Sequence, residues 1–231
     1  MSVSKTLNIA YNVTSSFVES IPKKERKKYG QFFTSQKTAE FMASLFTIDF
    51  SKPELRLLDA GAGTGLLTTA LVERLRNSGY KGHIYAVCYE NDPKVLPTLI
   101  ENLEFLKKNL KIKYEVRVDN YLTSQNFVCA DFFKKKAEQF DMIIGNPPYL
   151  KIAKDAPEAL AMPEVCYGAP NLYFLFWAMG INNLKDGEEM VYIIPRSWTS
   201  GAYFERFRKY LFRHCVITNI HIFGSRDKVF D

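Results

Sequence analysis

The residues with the clearest chemistry are Asn146-Pro147-Pro148-Tyr149, which follow the strand-like run Phe140–Gly145. Proline fixes its own backbone angle and pushes the preceding residue out of the helical region, so the turn is stiff and extended. An Asn amide, a proline carbonyl and an aromatic ring held this way suit a planar molecule with an exocyclic amine. The two oxygens accept the amine hydrogens while the ring stacks on the face. A plain strand-to-loop turn with a buried tyrosine is the alternative for these four residues alone.

A second candidate site is the segment Leu57–Leu67, which has the pattern of a strand, a glycine turn and a helix. Gly61, Gly63 and Gly65 allow a ligand to pass close to the backbone. Their G-x-G-x-G spacing differs from the dinucleotide G-x-G-x-x-G pattern and from the phosphate loop that ends in Gly-Lys-Ser/Thr. A nucleoside triphosphate is therefore disfavoured.

Polar side chains follow several of the predicted strands. Asp59 is a natural partner for a cationic amine, and Glu90 lies where an acid holds ribose hydroxyls in doubly wound sheets, although it comes slightly later than usual. Because ligands of such sheets bind outside the carboxyl ends of the strands, Asp59, Glu90, Asp119 and Asn146 are expected to share one edge. A solvated loop acid is the alternative for Glu90 taken alone.

The elements that must position these residues alternate along the chain, which predicts a doubly wound, mostly parallel α/β sheet with right-handed crossovers. The predicted strands are Leu55–Asp59, Ile84–Tyr89, Lys113–Val118, Phe140–Gly145, Met190–Ile194 and Val216–Phe223. The predicted helices are Leu66–Asn77, Pro93–Lys108, Leu172–Asn183 and Tyr203–Phe212. The segment Leu150–Pro170 is predicted to lack regular structure and to form a flap over a substrate, with a mobile surface loop as the alternative.

Taken together, the order and spacing of these motifs resemble the gamma group of S-adenosylmethionine-dependent amino-methyltransferases, which methylate adenine N6 in DNA. Tyr29–Thr34, followed by the helix-like Ser35–Met42, is similar to the N-terminal cofactor motif of that group. Val118–Tyr121 lies where the group has an acid near the cofactor adenine, and Asn171–Phe176 resembles a segment that closes over the cofactor. Val229-Phe230 resembles a later motif whose aromatic ring stacks on the flipped base.

The resemblance implies a Rossmann-like class I methyltransferase fold, S-adenosyl-L-methionine as cofactor and double-stranded DNA as partner. The implied catalytic residues are Asn146, Pro147, Pro148 and Tyr149. The implied cofactor-binding residues are Phe33, Thr34, Asp59, Gly61, Gly63, Glu90, Asn91, Asp119 and Asn146. Tyr149 and Phe230 would stack on the extruded base. Methyltransferases acting on RNA or on protein glutamine share the Asn-Pro-Pro-Tyr motif and remain alternatives, as does an inactive module.

The resemblance also sets an expectation for the domains: a basic extension over residues 1–28 and a catalytic domain over residues 29–231. The chain stops inside the last motif of the group, whose fold has one more, antiparallel strand and usually a target recognition domain. We therefore expect the final strand to be missing and the chain to be a truncated or split gene product or a catalytic fragment, with a second polypeptide as one possible carrier of the missing strand and the recognition domain. A cognate endonuclease of a restriction–modification system is a further expected partner.

Composition is consistent with these predictions. The chain has 231 residues, 47% of them hydrophobic, and a net charge of +6, which suits one sizeable core and a polyanionic partner. The charge run Pro22–Lys28 fits a solvated face or phosphate contacts. Cys88, Cys129, Cys166 and Cys215 have no metal-ligand spacing, so no metal site and reduced thiols are predicted. No signal peptide or membrane span is seen, which predicts a cytoplasmic location.

Overall fold

A computed structural model describes residues 5–22, 33–125 and 137–224 of the chain. Its strands are β1 (Glu54–Ala60), β2 (His83–Tyr89), β3 (Lys113–Arg117), β4 (Phe140–Gly145) and β5 (Leu184–Tyr192). Its helices are α1 (Lys5–Ser20), α2 (Gln36–Ser44), α3 (Leu66–Asn77), α4 (Leu96–Leu110), α5 (Tyr121–Ser124), α6 (Pro157–Ala161), α7 (Leu172–Asn183) and α8 (Glu205–His214). No helix of the described ranges is both long and apolar enough to cross a membrane.

The five strands form one sheet in the order β3-β2-β1-β4-β5, and every described pairing is parallel. In the central strand β1, Leu58 pairs with Val87 of β2 on one side and with Ile143 of β4 on the other. Chain order reverses between β1 and β4. Such a reversal opens a crevice at the carboxyl ends of the two strands, where ligands of α/β sheets bind.

Helices cover both faces of the sheet because successive strand residues point to opposite sides. Leu57 enters a core cluster with residues of α3 and α4, whereas its neighbour Leu58 enters a second cluster with residues of α7 and α8. The predicted α/β fold class is confirmed. Strands β1 to β4 lie within one residue of their predicted ends, and α3 and α7 have their predicted bounds.

Strand β5 begins at Leu184, six residues before its predicted start at Met190. Its early part is irregular, because Leu184 pairs with Phe140 whereas Glu189 pairs with Met142. Gly187, with φ of +80°, lies within this bulge. The polar residues of the bulge gave no strand pattern in the sequence, which explains the missed start.

The predicted strand Val216–Phe223 is wrong, because these residues form no strand and no ladder with β5. Ile217 and Phe223 pack against the two core clusters, whereas Val216 is 88% exposed and Ile222 is 72% exposed. Residues 218–222 between these two contacts are all exposed, so the apolar run reflects an extended segment that touches the core at Ile217 and Phe223. A β-strand additionally requires backbone pairing with a neighbour.

The segment Leu150–Pro170 also differs from its prediction, because it contains α6 and a 3₁₀ turn at Pro163–Val165. Pro157 begins α6 and Pro163 begins the 3₁₀ turn, as proline is tolerated where a first-turn N–H has no intrahelical partner. Helices α4 and α8 each begin and end two to three residues later than predicted.

Helix α1 lies within the predicted basic extension and packs against α3 and α4. Leu7 and Ala10 of this helix are almost fully buried in the same core cluster as Leu71. The backbone N–H of Leu7 donates to the buried carboxylate of Glu73 on α3, at 2.6 Å. This helix is thus part of the same packed body as the sheet.

Candidate active site

A cavity of about 530 Å³ lies beyond the carboxyl ends of β1, β2 and β4. Of the predicted cofactor-binding residues, those on its wall are Phe33, Thr34, Gly61, Gly63, Glu90, Asn91, Asp119 and Asn146. The fold therefore gathers residues from segments that are more than 100 positions apart. Asp59 is the one predicted cofactor residue that does not line this cavity.

The glycine turn joins β1 to α3 and forms one wall of the cavity. The backbone N–H groups of Gly61 and Ala62 donate to the carbonyl of Tyr89, at 2.9 and 2.8 Å, which ties this turn to the end of β2. Gly61 has φ of +80°, and a Cβ added there would lie 3.5 Å from Phe176 and 3.8 Å from Pro148. A side chain at Gly61 would thus fill space between the turn and the Asn-Pro-Pro-Tyr segment, where a ligand can pass.

Glu90 is held rigidly at the end of β2. Its Oε2 accepts the N–H of Gly63 at 2.9 Å, and its Oε1 accepts the N–H of Asp92 at 2.8 Å. Burial raises the pKa of Glu90 above its ordinary value, and the two backbone N–H groups act in the opposite direction. Each carboxylate oxygen has a further lone pair, so the group can also accept hydroxyl donors such as those of a ribose.

Asp59 lies beneath the cavity wall and is 2% exposed. Its Oδ2 accepts the hydroxyl of Thr68 at 2.8 Å, and its Oδ1 has no hydrogen-bond partner among the described residues. Burial raises the pKa of Asp59 to about 7. A buried carboxyl with an open acceptor is suited to a cationic partner, and contact with the cofactor amine stays a prediction.

The Asn-Pro-Pro-Tyr segment follows β4 directly. The side-chain amide of Asn146 lies between two hydroxyls: its Nδ2 donates to Thr34 Oγ1 at 3.1 Å, and its Oδ1 lies 2.8 Å from the Tyr149 hydroxyl. That hydroxyl is also 2.8 Å from the backbone oxygen of Ile193. Asn146 and Pro148 line the cavity, whereas Pro147 is buried and Tyr149 is half-buried beside it.

Aromatic side chains close the cavity between Glu90 and Asn146. The ring of Tyr121 packs against Tyr89 at 5.0 Å and against Phe176 at 5.2 Å, centroid to centroid, and all three line the cavity. Phe33, from the opposite side, packs edge-on against Phe17 of α1 at 6.0 Å. Such a lining suits a flat heterocycle such as adenine.

Sequence reasoning missed Thr14 of α1, which lines the cavity. The Thr14 hydroxyl donates to that of Thr64, at 2.8 Å, and joins α1 to the glycine turn. A single threonine 47 positions before Gly61 gives no local signal of this contact. Only the amphipathic spacing of α1 could have indicated a packed helix here.

Several predicted residues do not take part in the described site. Tyr29 to Phe32 and Phe230 lie outside the described residues, so the stacking role of Phe230 stays a prediction. Cys88, Cys166 and Cys215 are not on the cavity wall, and Cys129 lies outside the described ranges. Burial raises the pKa of all three described thiols, which keeps them as thiols rather than nucleophilic thiolates.

The parallel order, the glycine turn after β1 and the acid after β2 define the class of protein: this is the fold of class I S-adenosylmethionine-dependent methyltransferases. A solved methyltransferase subunit of a type I restriction-modification system from Streptococcus thermophilus matches with a TM-score of 0.59 at 21% identity, over 79% of this chain and 38% of that one. A putative class I methyltransferase from Listeria monocytogenes matches with a TM-score of 0.55 at 19% identity, over 76% of this chain and 49% of that one.

Sequence comparison gives the family. Residues 64–230 match the Eco57I restriction-modification methylase family, and the chain belongs to that family. It is similar to the type II methyltransferase M.PstI of Providencia stuartii, at 37% identity over 89% of this chain and 40% of the relative. It is also similar to the type II methyltransferase M.BsuBI of Bacillus subtilis, at 35% identity over 90% of this chain and 42% of the relative. The chain thus spans less than half the length of these two relatives.

The predicted resemblance to restriction–modification methyltransferases is confirmed by the family. The predicted cofactor, S-adenosyl-L-methionine, is likewise confirmed at the level of family and fold. Among the described residues, no group of three or more His, Cys, Asp or Glu side chains could hold a metal ion. The cytoplasmic location stays a prediction.

Proposed function

We propose that this chain is the catalytic part of a DNA methyltransferase that methylates the N6 amine of adenine within a restriction–modification system. The observation that carries the proposal is the position of Asn146, which shares one cavity wall with the glycine turn and Glu90. An amide that can accept from an amine thus lies beside a cavity suited to S-adenosylmethionine.

The residues around the cavity suggest how the cofactor is held. The Glu90 carboxylate, already fixed by Gly63 and Asp92, would accept the ribose hydroxyls. Phe33, Asn91 and Asp119, which line the cavity, would hold the adenine, and Asp119 would accept from its amine. The open oxygen of Asp59 would attract the amino group of the methionine part. The cofactor supplies an electrophilic methyl group on its sulfonium.

The target amine is a poor nucleophile, because its lone pair is delocalised into the purine ring. Asn146 Oδ1 and the backbone carbonyl of Pro147 accept its two hydrogens, which draws the nitrogen toward a tetrahedral geometry. The lone pair would then face the methyl group, and the new N–C bond would form as the methyl–sulfur bond breaks, S-adenosylhomocysteine leaves and the surplus proton of the amine passes to solvent. Catalysis consists of positioning and hydrogen bonding, without a covalent enzyme intermediate.

Methylation at a ring carbon is less favoured, because it requires a nucleophile such as a thiolate to add to the base. The described cysteines lie away from the cavity, and burial raises the pKa of Cys166 to about 11. An exocyclic amine needs acceptors only. Asn146 supplies one at the cavity itself.

The target adenine is proposed to leave the helix and stack on Tyr149 and Phe230. Extrusion costs a few kcal/mol, and stacking returns about 1–3 kcal/mol per base. The hydroxyl of Tyr149 is anchored by the oxygen of Ile193, and its ring packs edge-on to Tyr173 at 6.3 Å. The ring is therefore braced before a base arrives.

The partners follow from the same proposal. The net charge of +6 favours double-stranded DNA, and exposed Lys151 and Lys154 lie just after the catalytic turn. Recognition of a DNA sequence would come from the part of the relatives that this chain does not cover, either in the same polypeptide or in a separate one. A cognate endonuclease is the second proposed partner.

A protein-glutamine acceptor is less favoured. A release factor glutamine methyltransferase of Fusobacterium nucleatum is similar at 30% identity, but over only 48% of this chain. The type II methyltransferases match 89% and 90% of it, so these matches include the Phe33-Thr34 segment. These N-terminal residues line the same cavity as Asn146.

The direct test is transfer of a labelled methyl group from S-adenosylmethionine to unmethylated genomic DNA by the purified chain, followed by nucleoside analysis. Label in N6-methyladenine is the expected result. Label in another nucleoside, or in RNA or protein when those are offered instead, would overturn the assignment. If cofactor binds and nothing is labelled, adding the C-terminal half of a relative tests whether recognition must be supplied.

A further inference from the structure

The loop of residues 152–170, which follows the Asn-Pro-Pro-Tyr segment, crosses the crevice at the carboxyl edge of the sheet. Its ends are joined: the N–H of Ile152 donates to the carbonyl of Pro170 at 2.8 Å, and that of Leu172 donates to the carbonyl of Leu150 at 2.9 Å. Its middle part, α6, packs against α5, which follows β3. Strand β3 is three positions from β4 in the sheet, a distance of about 14 Å at the usual strand spacing. The loop that leaves β4 therefore reaches the end of β3.

The inner side of this loop is fixed by packing. Ala159, Met162 and Val165 are almost fully buried, and Met162 and Val165 belong to the core cluster that also contains Leu122 of α5. Buried side chains of this kind hold a short helix in one place. The residue before Ala159, Glu158, is consequently presented at a defined position over the crevice.

Glu158 is half-buried and lines the cavity, and Asn120 holds it there. Asn120 Oδ1 accepts the backbone N–H groups of Leu122 and Thr123, at 3.0 and 3.2 Å, and so caps α5. Because those two groups can only donate, the orientation of the amide is settled, and its Nδ2 donates to Glu158 Oε1 at 2.8 Å. A carboxylate has about four acceptor positions, so Glu158 can accept from a ligand as well.

The neighbours of Glu158 on the cavity wall indicate which part of a ligand it meets. Asp119 and Tyr121, on either side of Asn120, also line the cavity. Two carboxylates beside an aromatic ring suit a flat heterocycle whose amine has two hydrogens. The inference rests on the cofactor placement in the proposed function, in which Glu90 after β2 takes the ribose. The adenine would then lie toward β3, where Asp119 and Glu158 meet.

We propose that Glu158 is a specificity-determining residue that accepts one hydrogen of the amine on the cofactor adenine, while Asp119 accepts the other. Asn120 is the positioning residue that holds the Glu158 carboxylate toward the cavity. A base with an oxygen in place of the amine would set an acceptor against two acceptors. Such a mismatch leaves polar groups unpaired, and the site rejects that base.

The first measurement compares two ligands by isothermal titration calorimetry with the full chain. S-adenosylhomocysteine has the adenine amine, and S-inosylhomocysteine has an oxygen in its place. Wild-type chain should bind S-inosylhomocysteine at least about tenfold more weakly, because the carboxylates lose their donors. Equal affinities for the two ligands would overturn the proposal.

The second measurement uses Glu158→Gln, which keeps the shape of the side chain. Asn120 Nδ2 still requires an acceptor, so the new amide oxygen faces Asn120 and the new NH₂ group faces the cavity. The variant should bind S-adenosylhomocysteine about tenfold more weakly and S-inosylhomocysteine several-fold more tightly, since a donor now meets the oxygen. A gain of affinity cannot come from loss of folding. Glu164→Gln, at an exposed position of the same loop, is the matched control and should keep both wild-type Kd values.

A role for Glu158 in fastening the loop alone predicts a different result, because both ligands would weaken by the same factor in Glu158→Gln. An unchanged ratio of the two Kd values would therefore refute this inference and leave the proposed function standing. Failure of wild-type chain to bind S-adenosylhomocysteine would refute the cofactor placement and this inference together. No DNA enters either measurement, so the result does not depend on the methyl acceptor.

Discussion

The carboxylate of Glu90 accepts the backbone N–H of Gly63 at 2.9 Å, so the acid that ends β2 is tied to the glycine turn that follows β1. A second N–H, from Asp92, reaches its other oxygen at 2.8 Å. The group is therefore oriented before any ligand binds. A preorganised acceptor loses little conformational entropy on binding, which favours affinity.

Replacing Glu90 by Gln should weaken cofactor binding about tenfold or more, because one oxygen becomes a donor that faces donors. Isothermal titration calorimetry with S-adenosylhomocysteine measures the change in Kd. Glu101→Gln, at an exposed position of α4, is the matched control and should keep wild-type affinity. Unchanged affinity in Glu90→Gln would remove Glu90 from the cofactor site.

Replacing Asn146 by Ala should leave cofactor affinity close to wild type and lower methyl transfer at least about 100-fold, the effect of removing a transition-state hydrogen bond. Transfer of labelled methyl to DNA gives the rate, and titration gives the affinity. Asn109→Ala, at an exposed site on α4, controls for loss of an amide. Near-normal turnover would exclude Asn146 from the chemistry.

The buried carboxyl of Asp59 predicts a pH dependence of stability. Its pKa is raised from 3.8 to about 7 by burial, so between these values the folded state binds the proton more tightly than the unfolded state. Raising the pH from about 4 to 7 therefore destabilises the fold, by at most about 1.4 kcal/mol per pH unit. Above pH 7 this contribution no longer changes.

Asp59→Asn removes that titration, and its stability relative to wild type should rise from pH 5 to pH 7 and then level off. Urea unfolding at pH 5, 6, 7 and 8 measures the difference. Asp186→Asn, at an exposed position, should track wild type throughout. A constant difference between Asp59→Asn and wild type would show that the carboxyl is already charged across this range.

The hydrogen bond between Thr14 and Thr64 predicts that α1 contributes to the cofactor site. Thr14→Val removes the bond across 2.8 Å and should cost about 1 kcal/mol of stability and weaken cofactor binding several-fold. Thermal unfolding with and without S-adenosylhomocysteine reports both effects. Thr14→Ser keeps the hydroxyl and should behave as wild type. Equal ligand-induced stabilisation in Thr14→Val would limit α1 to a packing role.

Alanine substitutions at Gly65 and Gly79 distinguish the stability cost of backbone strain from the cost of steric overlap. Both have positive φ, +80° and +94°, but a Cβ at Gly65 would lie 2.8 Å from Leu99, whereas nothing lies within 4 Å of one at Gly79. Gly79→Ala should cost about 1–2 kcal/mol, and Gly65→Ala an additional 1–3 kcal/mol or so from overpacking. The free energy of unfolding in urea, measured for both variants, tests this prediction. Equal losses would mean that α4 moves away from the new Cβ without a cost in stability.

Local patterns predicted the elements that build the site. Continuous apolar runs predicted the ends of β1 to β4 to within one residue, because strands that are buried on both faces consist mainly of apolar residues. The same kind of pattern failed at Val216–Phe223, whose apolar run resembles a strand but has no ladder partner in the described sheet. An apolar run shows that a segment is rich in residues that favour strands. It does not show whether the backbone is paired.

The sequence by itself determined the chemistry: an Asn-Pro-Pro-Tyr turn, a glycine turn and an acid after the next strand are each encoded within a few residues. The tertiary structure decided which side chains meet. Thr34 reaches Asn146 across 112 positions, and Thr14 reaches Thr64 across 50. It also placed Asp59 beneath the cavity wall. Such contacts depend on how helices pack against the sheet, which no local spacing specifies.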